Sequence, residues 1–174
     1  MENNMDSNGI GVLRKNGGRA VVIADAARFL IFCLNKEQYA VPLLKVKEVI
    51  AQTDVTPVPY SPPYFKGIMN LRGQVISVID LRTKLKMPTV EPTSESAIII
   101  LDLAPLALGV IVDTVESVLA VAKDEVQPPP DLGGREVAYI TGVTRKDKGL
   151  ILILDIDKTL SVDDLRTFKT QTVA

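Results

Sequence analysis

Histidine is absent from all 174 residues, so there is no imidazole for a Ser-His or Cys-His nucleophile pair or for a metal centre. The groups left to do chemistry are carboxylates, one thiol and scattered cations. Asp155-Ile156-Asp157 sets two carboxylates two residues apart, as an acidic cation loop would, but Lys158-Thr159-Leu160 supplies neither the third ligand nor the glycine of a calcium loop. Capping is the plainer role, with Asp157 as the N-cap of a short helix through Leu160. Asp80, Asp102 and Asp113 fall at strand ends or turns, and whether any two meet as a paired-carboxylate site depends on distances that spacing does not give. Cys33 has no second cysteine to pair with, and between Phe32 and Leu34 it reads as a buried thiol in a reducing compartment. Neither a phosphate-binding Gly-x-x-x-x-Gly-Lys-[Ser/Thr] loop nor a Gly-x-Ser-x-Gly elbow is present, and Gly9-Ile10-Gly11 lacks a preceding strand and a third glycine. No catalytic, cofactor-binding or metal-ligating residue is therefore expected. Binding remains, and for that the notable charges are Arg72 and Glu48.

Both sit on an aliphatic β framework organised around residues 66–82. Two apolar runs, 68–71 and 75–81, flank Arg72-Gly73, and the β-branched Ile68, Val75, Ile76, Val78 and Ile79 favour extended backbone. The pattern predicts a hairpin whose longer strand is covered on both faces, with Arg72 at the tip and Gly73 free to take positive φ. Before it, 29–34 and 39–44 predict an opening hairpin, and 46–50 carries apolar residues around one acid, Glu48. After it come a hairpin over 96–103 and 106–112 turning at Ala104-Pro105, the stretch 115–121, and a last strand pair over 139–143 and 150–154. The proline-dense stretches 56–63 and 127–130 read as crossings and 87–95 as a polar connection. Residues 1–27 show no sustained period and predict a flexible extension; 169–174 predict a tail.

Hydrophobic residues make up 47% of the chain but aromatics only 5%, without Trp, so the core must be aliphatic. A net charge of −1 with interspersed signs gives no field for nucleic acid or anionic lipid, and a small-barrel nucleic-acid binder would also need stacking aromatics. No stretch reaches the ~20 apolar residues of a membrane helix, and residues 20–27, broken by Asp25, are too short for a secretory h-region. A cytoplasmic location is expected.

The chain also repeats itself. A shift of 69 lays 29–50 over 98–119, matching Ile31 with Ile100, Leu34 with Leu103, Val46 with Val115 and Val49 with Val118; a shift of 75 lays 67–85 over 142–160, matching Gly67 with Gly142, Ile76 with Ile151 and Asp80 with Asp155. Two copies of one β unit predict an all-β architecture of two small barrels, built from halves of about 29–85 and 98–160 and meeting along an aliphatic seam. Arg72 corresponds to Asp147 and Glu48 to Ser117, so the repeated fold requires neither charge.

Phe29-Leu-Ile-Phe-Cys-Leu34, Tyr39-Ala-Val-Pro42, Val46-Lys-Glu-Val49, Lys66-Gly-Ile-Met-Asn-Leu-Arg-Gly73, Val78-Ile-Asp-Leu-Arg82, Gly109-Val-Ile-Val-Asp113 and Tyr139-Ile-Thr-Gly142, in that order, resemble the CheW family of chemotaxis coupling proteins over residues 28–168. The resemblance implies two five-stranded SH3-like β-barrels around a shared hydrophobic core, with short helices. It implies a scaffold without enzymatic activity or cofactor, which joins methyl-accepting chemoreceptors to the histidine kinase CheA in membrane-associated arrays. The kinase's regulatory domain and other CheW-like domains would pack barrel end to barrel end in rings, and a receptor hairpin would lie between the barrels. Carried over by position, Val46, Glu48 and Gly67 face the kinase; Arg72, Gly109, Val115, Val118 and Gly142 face the receptor. Glu48 and Arg72 match an acid and a base able to pair. Gly109 and Gly142 would let a receptor helix approach, Val115 and Val118 would bury apolar area, and Arg72 would fix register. An output other than swimming, such as another form of motility, stays open, and the absence of an accompanying receiver sequence disfavours the fused adaptor CheV.

Overall fold

Two tight reversals anchor the architecture. Arg72 and Gly73 take φ of 51° and 85°, and Asn35 and Lys36 take 52° and 68°. Left-handed backbone at both central residues matches the right-handed twist of the strands they join. The Asn70 side chain accepts a hydrogen bond from the Gly73 N–H at 2.9 Å, which holds Arg72 outward at the tip.

The structure is a computed structural model that describes residues 12–13, 21–22, 26–131, 138–147 and 149–172. Strands β1 (Val12–Leu13) and β2 (Val21–Val22) pair with each other. The body follows as β3 (Ala26–Leu34), β4 (Glu37–Pro42), β5 (Val46–Ala51), β6 (Phe65–Leu71), β7 (Gln74–Asp80), α1 (Leu81–Lys84), β8 (Ala97–Leu103), β9 (Leu106–Val112), β10 (Thr114–Ala122), β11 (Ile140–Lys146), β12 (Gly149–Leu154), α2 (Ile156–Thr159) and α3 (Val162–Thr172). Most of the extension expected over 1–27, including Gly9-Ile10-Gly11, lies outside the described residues.

Two five-stranded sheets result, in the orders β10-β3-β4-β12-β11 and β5-β8-β9-β7-β6. Each bends toward closure: beyond β5, Thr56 bridges Ile68 on β6, and beyond β10, Gln127 bridges Val143 on β11. The duplication is visible in the backbone. Register shifts leave Lys47 and Glu116 as extra residues on β5 and β10, and Lys66 and Thr141 on β6 and β11, at the same 69- and 75-residue offsets as the sequence repeat.

The halves do not, however, build one sheet each, which corrects the expected division into 29–85 and 98–160. Each sheet combines a hairpin from one half with three strands from the other: β3–β4 with β10, β11 and β12, and β8–β9 with β5, β6 and β7. Connector length explains the exchange. Only Asp113 separates β9 from β10, too short for a hairpin, and only a single 3₁₀ turn, Leu43–Lys45, separates β4 from β5. The chain therefore steps across to the other sheet, and the parallel pairs β4–β12 and β7–β9 complete each one.

Three cores follow from the period of two along these strands. Ile31 and Phe29 of β3 point into one sheet's interior with Ala40, Val121, Ile151 and Ile153. Ile98 and Ile100 of β8 point into the other with Met69, Ile76 and Val78. The alternate residues, Leu30, Phe32 and Leu34 on β3 and Ile99 and Leu101 on β8, meet Val110, Leu108, Ile79 and Leu154 in a third cluster, the seam shared by both sheets. Apolar residues on successive positions thus need burial on both faces, as the sequence predicts for β7.

Two terminal features differ from expectation. Asp155, not Asp157, caps α2, its side chain accepting from the Lys158 N–H, because β12 ends one residue earlier and leaves Asp155 in extended conformation at the junction. Residues 162–172, not predicted as helical, form α3. The Ser161 hydroxyl accepts from the Asp164 N–H at 3.1 Å, and the Asp164 carboxylate accepts from the Ser161 N–H at 2.6 Å, a reciprocal cap readable as Ser-x-x-Asp. Lys84 bonds Asp164 at 2.7 Å and lies 4.0 Å from the Tyr64 ring, and Phe168 stacks on Phe65 at 5.7 Å, so α3 is clamped to α1 and to the start of β6.

Candidate partner-binding surfaces

Arg72 and Glu48 meet although 24 residues separate them. The β5–β8 and β6–β7 pairings place them at one end of the same sheet, where Arg72 Nη1 and Nη2 donate to Glu48 Oε1 and Oε2 at 3.2 and 3.0 Å. The Arg72 side chain is 78% exposed and that of Glu48 25%, so the pair is a surface feature rather than a strut. Beneath it lies a cavity of about 400 Å³ whose floor is Leu71, Ile76, Ile100 and Ala107. The corresponding corner of the other sheet is built differently. Lys146 Nζ donates to the Ser117 hydroxyl at 3.2 Å, and Glu116 accepts from Gln38 Nε2 at 2.6 Å and from the Cys33 thiol at 2.9 Å. One end is an ion pair over an apolar floor, and the other is a polar network.

The second surface crosses the seam. Val41 and Pro42 of β4, Leu101 and Leu103 of β8, Leu154 of β12 and Ile156 of α2 line a groove of about 300 Å³, and Lys45 Nζ bonds Asp157 Oδ2 at 3.0 Å across it. In the 3₁₀ turn between Pro42 and Lys45, which both line it, Leu44 is 99% exposed. Asp157 corresponds by the 75-residue offset to Arg82, whose surroundings are sealed. There Arg82, 9% exposed, donates to both carboxylate oxygens of Asp113 at 2.7 and 2.6 Å and to the Pro88 carbonyl at 2.9 Å. The repeat is thus closed on one side of the seam and open on the other.

The remaining expected contact residues scatter. Val46 and Val115 sit at equivalent bulges and pack against the seam core, and Val118 on β10 is 51% exposed. Gly67, Gly109 and Gly142 are all buried. A Cβ on Gly109 would meet Ile98 Cγ2 at 3.0 Å and Val78 Cγ2 at 3.2 Å, and one on Gly142 would meet Val126 Cγ1 at 2.6 Å. Gly67, at φ +144°, admits the Thr56 carbonyl where the proline-dense crossing bridges β6. The close approach these glycines permit is internal, which corrects the expectation that Gly109 and Gly142 open backbone to a partner helix. None of the expected receptor residues lines the groove; Leu44, Lys45 and Leu103 were not singled out by sequence, and Ile156 and Asp157 only as part of a carboxylate pair and a helix cap, not as contacts. Nothing local distinguishes an exposed leucine from a buried one in an aliphatic chain.

The titratable groups act as structural elements. Burial raises the Asp113 carboxyl, but the Arg82 guanidinium and the Asn35 N–H outweigh it and hold it below its usual range. Burial raises Asp164, partly offset by the Ser161 N–H, and lowers Lys84. Cys33 is partly exposed rather than buried, yet desolvation and its bond to Glu116 push the thiol up to about 11. Among the described residues no three of Cys, Asp and Glu gather as a metal site, and no helix is long and apolar enough to cross a membrane.

The family model of the CheW-like domain matches residues 28–164. The chain is similar to the chemotaxis protein CheW of Klebsiella aerogenes, 30% identical over 158 residues that cover 90% of this chain and 93% of that protein. It is similar to the CheW of Treponema pallidum, 35% identical over 144 residues, 80% of this chain and 85% of that one. The crystal structure of the scaffolding protein TtCheW from Thermoanaerobacter tengcongensis superposes with a TM-score of 0.74 at 29% identity, covering 80% of this chain and 95% of that chain. With the match running from β3 into α3 across both sheets, the chain belongs to the CheW family of chemotaxis proteins.

Proposed function

We propose that this protein is a non-enzymatic scaffold that couples methyl-accepting chemoreceptors to the histidine kinase CheA, on the cytoplasmic side of membrane receptor arrays. The observation that carries this reading is the groove across the seam, lined from both sheets, whose accessible apolar surface comes from the half-buried Pro42 and Leu103 above a buried floor of Val41, Leu101, Leu154 and Ile156. A groove of this kind receives the apolar ridge of a helix, here the receptor tip hairpin, with the Lys45–Asp157 pair orienting it. The Arg72–Glu48 corner and the cavity below it receive the kinase's regulatory domain, with Val46 behind them. Because Arg72 is joined to Glu48, it belongs with the kinase side, and Val118 is left as an accessory apolar contact. Both surfaces ride on one shared core, so their relation is rigid, and repetition in rings with kinase domains and further CheW-like domains turns weak contacts into strong coupling.

A pull-down with a receptor tip fragment and the kinase regulatory domain tests this. Leu44→Asp, at a fully exposed position, is expected to lose the receptor and keep the kinase, and Arg72→Glu the reverse. Retention of neither partner by the unmodified chain would overturn the proposal.

A further inference from the structure

Arg72 tips one end of the sheet β5-β8-β9-β7-β6; the other end, where β6 begins with Phe65 opposite Ile79, carries a tyrosine that the fold does not use. From Thr56, bridged to Ile68, the chain runs back along β6 and turns at Pro59-Tyr60, where the Ser61 hydroxyl donates to the Val58 carbonyl at 2.7 Å. Tyr60 takes φ 59°, the left-handed backbone that such a turn ordinarily gives to Gly or Asn, yet the residue is 108% exposed. The backbone is strained and the ring gains no burial in return. The duplicated crossing does without such a residue, since no aromatic lies between Gln127 and Tyr139.

The two ends also differ in charge. The Gln52 N–H donates to the Ser96 carbonyl at 3.1 Å, which brings the exposed Asp54 and Glu95 to the Tyr60 end. Residues 49–65 and 87–97 contain no Lys or Arg, and Lys66 at the start of β6 lies 3.8 Å from Asp80. At the Arg72 end the cavity of about 400 Å³ is rimmed by Lys47 and Arg72 against one acid, Glu48, with the half-buried Leu71 and Ala107 above Ile76 and Ile100.

We infer that the chain associates head to tail with a second copy of itself, the Tyr60 turn of one copy entering the Arg72 cavity of the next. The ring lies on Leu71 and Ala107 beneath the Lys47 and Arg72 cations, its hydroxyl donates to Glu48, and Asp54 and Glu95 face the cationic rim. Because the two ends differ, the contact is heterologous: each copy keeps one end of each kind, so association continues into a row or closes into a ring. The inference stands apart from the kinase and receptor readings, and where a kinase domain takes the Arg72 corner the two compete.

Sedimentation of the full chain over a range of concentrations tests this with two variants: Tyr60→Asn, which removes the ring and suits the turn, and Lys47→Glu, which reverses a rim charge on an exposed residue. Thermal unfolding checks that both fold, and Tyr60→Asn should melt no lower than the parent. The parent is expected to associate reversibly, and less at high salt; each variant alone should associate about thirtyfold more weakly, the scale of a lost aromatic anchor. Mixed, the two variants should recover the parent's affinity but stop at a dimer, since one brings an intact cavity and the other an intact Tyr60. A parent that stays monomeric, either variant associating as the parent does, or a mixture no stronger than its parts would overturn the inference. Kinase and receptor binding enter none of these readouts, so failure here leaves those readings standing.

Discussion

Replacing Arg72 by Ala separates a surface built for a partner from one built for the fold. The substitution removes two hydrogen bonds, at 3.0 and 3.2 Å, from a guanidinium that is mostly in solvent. An exposed pair of this kind is worth about 0.2–1 kcal/mol, the Coulomb gain being set against screening and side-chain entropy. The residual Glu48 keeps some access to water, so its desolvation penalty is small. Stability should fall by about 0.5 kcal/mol, a Tm change of about 1–2 °C for a chain this size. Loss of a charged bidentate contact at an interface is larger, about 2 kcal/mol or roughly thirtyfold in Kd for the kinase regulatory domain. Calorimetric titration against that domain, with thermal unfolding in the same buffer, reads both quantities. The exchange Arg72→Glu with Glu48→Arg should recover the stability but not the binding, because it restores the pair while inverting the face it presents. A Kd within threefold of the original, or a Tm lowered by 10 °C, would refute the assignment.

Other perturbations probe what the architecture demands. Arg82→Met should cost about 3 kcal/mol, or about 6–12 °C in Tm, because it strands the Asp113 carboxylate at the sealed side of the seam; a loss under 1 kcal/mol would show the pair to be dispensable. Since folding holds the Asp113 pKa below its ordinary value of 3.8, its stabilisation is complete above that value and drains as pH falls through the lower folded one; urea unfolding from pH 7 to pH 2 in the parent and in Asp113→Asn measures the difference. Gly67→Ala should destabilise more than Gly142→Ala, as one new methyl strikes the Thr56 backbone at positive φ and the other a single Val126 side-chain methyl at ordinary φ; equal midpoints in urea would contradict this. Cys33, with its thiol near 11, should react with iodoacetamide at pH 8 about a hundredfold more slowly in the folded chain than in urea, and equal rates would show that Glu116 and burial do not protect it.

Much of the fold was legible because it is local. The turn at Arg72-Gly73 follows from two residues' φ preferences, and the two-sided burial of β7 from an unbroken aliphatic run. The repeat offsets reappear as paired bulges, since a bulge is a property of a short stretch of strand. The α3 helix was missed because its apolar signal, Leu165 and Phe168, is sparse, although its Ser161–Asp164 cap was there to read. The cap of α2 was misplaced by two residues because Asp155 and Asp157 are chemically alike and only the end of β12 chooses between them. At the binding surfaces, the facing of Glu48 and Arg72 was foreseen only as a possible acid–base pair, and the groove residues were not foreseen as contacts.

By itself the sequence determined an aliphatic, duplicated, strand-rich chain without imidazole chemistry, for these follow from composition, from a period of two and from turn residues acting on near neighbours. Only the tertiary structure decided which hairpin joined which set of strands, which side of the seam was sealed, and which glycines faced inward. The aliphatic strands of the two copies are nearly interchangeable in kind. Their partners were chosen by connector lengths, such as the lone Asp113 between β9 and β10, and by collective burial between residues as distant in the chain as Val41, Leu101 and Leu154.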